Sequence, residues 1–315
     1  MSRSHPPHLL VVFRPLARSV AVPRSGVRRH MLPPMRSRPT APELERSAAA
    51  EPAPAVAPAP GPGEALAMLV RRGLRPRLGP VDLPFAPNLD GPAADRLAER
   101  LGHYAFRLFL RGAILRRGPF SPPQATRFVT PVQARRLAEQ MLELGLAERA
   151  PRGRFRLVHP ARSFGGTLEW YLARELRRRL GLDLAAGVRS GAAGVGGDLD
   201  IVAAAEGKLL YLEVKSSPPK HLTRAEVAAF LRRVRGLRPD LALFVVDTAL
   251  RLSDKVLPML REALGPGLQA RPRRIVRETW AVAPGLYAVN AKQDLMENVC
   301  RAIADGLLAR SPPPP

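Results

Sequence analysis

Residues 197–216 read GDLDIVAAAEGKLLYLEVKS, and their pattern is the clearest indication of the fold in the chain. Two apolar runs flank the dipeptide Glu206-Gly207. Apolar runs bounded by a glycine-containing turn predict two strands that pair as a hairpin. A two-residue turn at Glu206-Gly207 pairs the residues on either side of it. Counting outward from that pair places Asp200 directly opposite Glu213.

Three charged side chains then fall close together on this hairpin. Lys215 follows Glu213 by two residues, so strand alternation places both on one face. Side chains directly opposite each other have Cβ atoms about 4.5–5.5 Å apart, so Asp200 joins them. Facing carboxylates repel, and a hard divalent cation such as Mg²⁺ relieves that repulsion. The alternative is a surface hairpin whose Glu213 and Lys215 are solvated, although charges among so many apolar residues need partners.

The flanking segments continue the pattern of helices and strands. Leucines recur every four residues along a predicted amphipathic helix, Thr167–Leu180, and define its buried stripe. The elements that follow give the order αβββαβ, with strands near Leu184–Arg189, Leu199–Ala204 and Leu209–Ser216, a helix over about Arg224–Gly236, and a strand at Leu241–Val246.

The motif GDLDIV, the motif LEVKS and the twelve residues that separate Asp200 from Glu213 together resemble the PD-(D/E)xK nuclease superfamily. Within it, the sequence is most similar to archaeal-type Holliday junction resolvases and Mrr-like restriction endonucleases. The resemblance covers about 85 residues within 164–250, and it includes Val188-Arg189-Ser190-Gly191. It implies an α/β fold with a restriction-endonuclease-like αβββαβ core and a mixed sheet.

The resemblance also implies roles for individual residues. Asp200 and Glu213 would ligate Mg²⁺ (or Mn²⁺), with the backbone carbonyl of Val214 as a further ligand. Lys215 would be the catalytic lysine, and Glu169 an auxiliary ligand or orienting group on the first helix. Two departures from the pattern concern the key aspartate. Leu199, not proline, precedes it, and Asp198 is a second candidate metal ligand; we prefer Asp200 because it lies opposite Glu213.

Residues 93–160 predict a separate helical unit that ends in a hairpin. Thr130 caps a helix, Pro131 occupies its first turn, and Gln133 can close a capping box. Helix, short helix, helix and hairpin is the order of a winged helix-turn-helix. The residues expected to contact nucleic acid are Gln133, Arg135 and Arg136 on the recognition helix, Arg152 and Arg154 on the wing, and Lys220 in the nuclease unit. Alternatively, these side chains form a solvated surface, and the helical unit packs on the next domain or dimerises.

Composition limits the class of protein. The 315 residues include 50 Lys and Arg against 27 Asp and Glu, a formal net charge of +23, which favours nucleic acid as the partner. A compositional bias towards arginine is the alternative cause of that charge. The single cysteine excludes an internal disulfide and fits a reducing, cytoplasmic compartment. No apolar run reaches the roughly 20 residues of a membrane helix, so no membrane association is expected.

The remaining segments complete the predicted domain organisation. Residues 1–62 are rich in Arg, Pro and Ala and predict a disordered tail and linker. A transit peptide, or a true start at Met31 or Met35, is the alternative interpretation of that segment. The other predicted segments are a helical or irregular connector at 63–92, the nuclease domain with a C-terminal extension at 164–310, and a disordered tail at 311–315.

Together these features predict a Mg²⁺-dependent DNA endonuclease that acts in repair, recombination or restriction. The alternative is a non-catalytic DNA-binding or regulatory protein on a nuclease-like fold. A third interpretation is a scaffold whose two modules serve protein contacts. A homodimer remains open for each of them.

Overall fold

The structure is a computed structural model that describes residues 63–191, 195–265 and 271–310. The tails predicted at 1–62 and 311–315, with Met31 and Met35, lie outside the described residues. The helices are α1 (Glu64–Arg71), α2 (Gly91–Gly102), α3 (Tyr104–Arg116), α4 (Pro122–Ala125), α5 (Pro131–Glu143), α6 (Gly165–Leu180), α7 (Arg224–Leu237), α8 (Val256–Leu264) and α9 (Leu295–Arg310). The strands are β1 (Pro76–Leu78), β2 (Ala147–Ala150), β3 (Arg154–Leu157), β4 (Asp183–Ser190), β5 (Asp198–Ala205), β6 (Lys208–Lys215), β7 (Leu241–Val246), β8 (Arg273–Val276), β9 (Thr279–Ala283) and β10 (Leu286–Asn290).

One mixed sheet organises the molecule. Its strand order is β1-β4-β5-β6-β7-β10-β9-β8, in which β7 is parallel to both β6 and β10 and every other neighbouring pair is antiparallel. The elements α6-β4-β5-β6-α7-β7 follow the αβββαβ order, so the predicted α/β fold with a mixed sheet is confirmed. The edge strand β1 and helix α1 come from the segment predicted to be a connector.

The β5–β6 hairpin has the predicted turn. Ala205 pairs with Lys208, and Glu206 and Gly207 have φ values of 50° and 71°. Positive φ at both central residues is the mark of a type I′ turn, whose twist matches that of the strands. The left-handed conformation is unfavourable for Glu206, and the strength of the flanking ladder maintains it.

A separate hydrophobic core packs against each face of the sheet. Leu210, Leu212 and Val214 of β6 belong to the core that includes α6 and α9, whereas Leu209 and Tyr211 belong to the core that includes α1, α7 and α8. Every residue of β7 is buried, as expected for a strand covered on both faces. The stripe predicted on α6 is buried at Leu168, Leu172 and Leu176, but Leu180 at the helix end is exposed.

The helical unit lies against the first of these cores. Thr130 Oγ1 accepts from Gln133 N at 3.2 Å, and Gln133 Oε1 accepts from Thr130 N at 2.9 Å, so the predicted capping box is present. Helix α3, helix α4, helix α5 and the β2–β3 hairpin occur in the predicted order. Its buried aromatic residues Phe106, Phe109, Phe120 and Phe155 share one core with α6 and β6. The assignment of this unit to the winged-helix class stays a prediction.

A buried ion pair joins the helical unit to the sheet. Arg107 Nε lies 2.9 Å from Asp247 Oδ1, and Arg111 Nη2 lies 2.6 Å from Asp247 Oδ2. Arg107 and Asp247 are 1% and 0% exposed, so each charge depends on the other for compensation. Arg107 Nη1 also donates to the carbonyls of Leu101 and Gly102, at 2.6 and 3.0 Å. Helix α3 is therefore fixed to the end of β7.

Within the described ranges, no helix combines the length and apolar character that crossing a bilayer requires.

Candidate active site

The β5–β6 ladder ends at the residues that the sequence singles out. Pairing runs from Ala205 opposite Lys208 to Ile201 opposite Leu212 and stops there. The next position would pair Asp200 with Glu213, but Asp200 Oδ2 instead accepts a hydrogen bond from Val214 N at 2.6 Å. The predicted register is therefore confirmed from Ala205 to Ile201. At Asp200 the side-chain carboxylate, rather than the backbone, contacts β6.

The neighbouring strand explains why Asp200 leaves the ladder. In the β4–β5 pairing, Ala186 lies opposite Ile201 and Val188 opposite Leu199, so Gly187 and Asp200 are left out of the register. Gly187 has φ 62°, in the left-handed region that glycine adopts without strain. Asp200 therefore lies at a break in the ladders on both sides, beside a glycine in β4.

Glu213 is buried and surrounded by donors from the protein itself. It is 2% exposed, and Lys215 Nζ lies 2.9 Å from its Oε1. Arg233 Nη2 lies 2.7 Å from each of its carboxylate oxygens. Tyr211 donates its hydroxyl to Oε2 of the same group and accepts from Arg233 Nε at 2.8 Å. The solvated-hairpin alternative is therefore wrong, because Glu213 is the buried centre of an ion-pair network.

The other acidic residues face a cavity of about 720 Å³. Glu169 of α6 lines it together with Asp198 and Asp200 of β5. Burial raises the pKa of Glu169 to about 7, and repulsion from Glu213 and Asp198 adds to the effect. Burial, followed by repulsion from Glu213 and Glu169, raises the pKa of Asp200 well above its usual range. The two pKa shifts indicate that Glu169 and Asp200 lack enough positive charge around them to offset their burial.

Arginines surround the acidic centre of this cavity. Arg189 Nε lies 3.2 Å from Asp198 Oδ1, and Arg174 Nη2 lies 2.6 Å from Asp95 Oδ1. Arg177 and Arg178 also line it; Arg177 donates to the carbonyl of Leu184 at 2.8 Å, and Arg178 donates to Glu175 at 3.0 and 2.9 Å. An acidic floor with a cationic margin suits a metal ion beneath a phosphate chain, since each needs charge of the opposite sign.

The carboxylate oxygens at this site are the type of ligand that a hard divalent cation prefers, but their positions fit such an ion only partly. Glu169 and Asp200 supply carboxylate oxygens to one cavity, and a cation there would relieve the repulsion that raises the pKa of Asp200. Within residues 63–191, 195–265 and 271–310, no three His, Cys, Asp or Glu side chains converge as a ready metal site. Glu213 does not line this cavity, and Lys215 and Arg233 already bind it.

The residues predicted to contact DNA lie apart from this cavity. Arg135, Arg136, Arg152 and Arg154 are exposed, and none of them lines it. Gln133 is also exposed, but its side-chain oxygen is used in the helix cap. Lys220 is exposed in the turn that follows β6, so among the predicted contacts it lies nearest to Lys215 along the chain.

Sequence reasoning missed the partners of Glu213. Tyr211 precedes it by two residues on the same face of β6, so strand alternation could have indicated the contact. Arg233 comes from α7, twenty residues further along the chain, and only the packing of α7 on the sheet places it there. Glu226 of α7 also approaches Lys215, with Oε1 3.7 Å from Nζ.

No protein-family model matches the chain, and no curated protein matches it. The solved structures that are similar to it include the following two. Protein VC1899 from Vibrio cholerae is 14% identical, with a TM-score of 0.48 over 77% of this chain and 62% of that one. Can2 from Sulfobacillus thermosulfidooxidans, in complex with cyclic tetra-adenylate, is 14% identical, with a TM-score of 0.44 over 77% of this chain and 60% of that one. The chain thus spans less than two thirds of the length of either protein.

Proposed function

We propose that the protein is a metal-dependent nuclease that hydrolyses phosphodiester bonds in DNA. The observation that carries the proposal is the grouping of Glu169, Asp200, Glu213 and Lys215 where the β5–β6 ladder ends, beside a cavity with a margin of arginines. The same four residues carry the resemblance to PD-(D/E)xK nucleases.

In this proposal Asp200 and Glu169 hold Mg²⁺ or Mn²⁺, and the backbone carbonyl of Val214 is a further ligand. A bound ion would lower the pKa of a water molecule and stabilise charge on the phosphate. Asp198, which is exposed and paired with Arg189, belongs to the margin of the cavity in this scheme.

Lys215 supplies positive charge at the reacting phosphate. Burial acts to lower its pKa, but the Glu213 carboxylate and its hydrogen bond raise the pKa of Lys215 above its usual value. The ammonium group therefore stays protonated at neutral pH and can hold a phosphate oxygen or orient a water molecule. Glu213 fixes Lys215, and Arg233 in turn fixes Glu213, so Arg233 acts as a positioning residue.

One observation favours a second function, that of a non-catalytic DNA-binding protein. Both oxygens of Glu213 are already bound by Arg233, and Lys215 and Tyr211 add further contacts. A carboxylate neutralised in this way does not require a metal ion. In that case the network is structural, and the arginines alone bind DNA.

The two functions are separated by measuring cleavage and metal binding in parallel. Wild type, Asp200→Asn and Lys215→Ala are incubated with single-stranded, duplex, flap and four-way DNA in Mg²⁺, Mn²⁺ or EDTA. Asp198→Asn is the matched control, because it removes the same charge from the same cavity. Mn²⁺ binding is measured by electron paramagnetic resonance without DNA.

A nuclease cuts DNA only with metal, and loses cutting in Asp200→Asn and Lys215→Ala but not in Asp198→Asn. Mn²⁺ affinity should fall in Asp200→Asn and persist in Lys215→Ala. DNA binding without either cleavage or Mn²⁺ binding would contradict the nuclease and support the second function.

A further inference from the structure

A second concavity lies next to the candidate active site, after the end of β6. It is a groove of about 540 Å³ between helices α3 and α4, the segment that leads to α5, and the turn after β6. Among the described residues that form it there is no aspartate or glutamate, which sets it apart from the acid-floored cavity. Its lining includes Arg116, Arg127, Phe128, Ser217, Lys220 and His221. We call this concavity the basic groove.

Phe128 is presented at the basic groove in an unusual way for a large apolar residue. It is 67% exposed, whereas the next residue, Val129, packs against the core. The Arg127 guanidinium lies 5.3 Å from the centre of the Phe128 ring. The Phe128 ring therefore faces solvent together with the Arg127 guanidinium group.

The anchoring comes from the contact between α3 and α4. A Cβ atom on Gly112 would lie 1.5 Å from the carbonyl oxygen of Ala125, so α4 approaches α3 as closely as backbones allow. Arg116 Nε donates to the carbonyl of Gln124 at 2.8 Å and closes the same contact. Phe128 N donates to Thr126 Oγ1 at 3.3 Å. A ring on such an anchored segment loses little conformational entropy when it binds a ligand.

The opposite wall of the groove begins at the candidate catalytic lysine. Ser217 lines the groove and follows Lys215 by two residues, so their Cα atoms are at most about 7.6 Å apart. The turn is held by buried Pro219 and Leu222 and by a hydrogen bond from Lys255 Nζ to the carbonyl of Lys220, at 3.0 Å. Lys215 and the basic groove are therefore close enough along the chain for one polymer to contact both.

We propose that the basic groove binds the single-stranded segment of nucleic acid next to the phosphate that is cut. Phe128 stacks on one unpaired base, and Arg127 and Lys220 contact phosphates. This proposal rests on the proposed nuclease function for its position, and it adds a substrate class. An exposed ring can stack only on a base whose face is free, which a duplex interior does not offer. The groove is lined by basic side chains and by no acidic ones among the described residues, which suits a polyanion.

The test measures binding without cleavage, in Ca²⁺ and separately in EDTA, by fluorescence anisotropy with labelled single-stranded and duplex DNA of the same sequence. Phe128→Ala should weaken single-strand binding by roughly five- to a hundredfold, the range for loss of one stacked base. Duplex binding should change less than about twofold. Leu308→Ala is the matched control, because Leu308 is 75% exposed on α9 and lies outside the groove.

Two further kinds of variant probe the contacts directly. Phe128→Trp should keep the affinity, and its added fluorescence should be quenched by single strands more than by duplex. Arg127→Gln and Lys220→Gln should each make the slope of log affinity against log salt shallower by about 0.7, the value for one phosphate contact on a single strand. Arg224→Gln, which alters an exposed arginine outside the groove, should leave the slope unchanged.

Three outcomes would overturn the proposal. Phe128→Ala could bind single strands as tightly as Leu308→Ala does, or it could lose duplex and single-strand affinity equally. Alternatively, sedimentation could show that Phe128→Ala abolishes self-association while DNA affinity stays unchanged, which would make the groove an interface between copies of this chain. These binding results do not depend on cleavage. If Asp200→Asn cuts DNA at the wild-type rate, the nuclease assignment fails independently.

Discussion

The surroundings of Glu213 and those of Asp200 differ sharply, although both carboxylates lie at the end of one hairpin. Glu213 is neutralised by Lys215 and Arg233 and accepts a hydrogen bond from the hydroxyl of Tyr211. Asp200 receives one backbone hydrogen bond, and burial and repulsion raise its pKa well above the usual range. The protein thus compensates one acid by itself and leaves the other undercompensated. A cation bound from solution would therefore stabilise the Asp200 carboxylate more than the Glu213 carboxylate.

The largest effect that tests this difference is on cleavage. Asp200→Asn should lower the rate at least about a thousandfold, because an ion held there would contribute several kcal/mol to the transition state. The same variant should melt at a higher temperature than wild type without metal, because it removes a half-buried charge that is poorly compensated. Calorimetry in EDTA and a gel-based cleavage assay measure the two effects. A variant that melts lower would mean that Asp200 is as well compensated as Glu213.

The next effect concerns the compensated side. Arg233→Ala should destabilise the fold by about 3–5 kcal/mol, the usual result of breaking a buried ion pair by removing one partner. Urea unfolding without metal measures the change. Arg156→Ala is the control, since Arg156 pairs with Glu148 at the surface and should lose less than about 1 kcal/mol. Equal, small losses in both variants would show that Glu213 does not depend on Arg233.

The variant Glu213→Gln tests directly how strongly the protein compensates the Glu213 charge. Sequence alone suggests that removing one of two facing carboxylates stabilises the metal-free protein. The observed contacts reverse the expected sign, because the amide leaves Arg233 and Lys215 without their anionic partner. We expect a loss of about 2–3 kcal/mol, typical of hydrogen bonds to charged groups. A double-mutant cycle with Arg233→Ala should show strong coupling, and additive effects would contradict the network.

The smallest effect is a pH dependence of stability on the undercompensated side. The pKa of the Glu169 carboxyl is about 7 in the folded protein, whereas its ordinary value is 4.5. Between pH 4.5 and pH 7 the folded state therefore keeps a proton that the unfolded state has released. Stability from this group is present at pH 4.5 and is lost as the pH rises to about 7. We expect Glu169→Gln to reduce the fall in unfolding free energy by on the order of 2 kcal/mol. Urea titrations of both proteins at pH 5 and pH 7.5, in EDTA, measure it, and parallel curves would rule the shift out.

Local signals explain what the sequence predicted well. Thr130 and Gln133 specify a helix start through atoms three residues apart, and Glu206-Gly207 specifies a turn through its own backbone. Such features depend on neighbours in the chain, so pattern and spacing suffice. The order of strands β4 to β7 follows from the same kind of signal.

Contacts made across long stretches of sequence could not be predicted in this way. Arg233 is one of several arginines on α7, and nothing in its spacing marks it as the partner of Glu213. Residue type and position favour Ser253 as the cap of the next helix, but α8 begins at Val256, and Ser253 Oγ bonds Asp254 instead. The β1 strand is three residues long and depends on pairing with β4 for its existence. In each case tertiary packing decides between local alternatives.

The ion pair between Arg107 and Asp247 has a consequence for the time course of synthesis. The two residues are 140 positions apart, so a ribosome adding about 5–20 residues per second makes Arg107 on the order of ten seconds before its counterion. During that interval α3 carries a guanidinium group that cannot be buried without cost. The helical unit therefore cannot complete its folding first and wait for the sheet. The nascent chain should remain sensitive to proteases until β7 has left the ribosome, and then become resistant in one step.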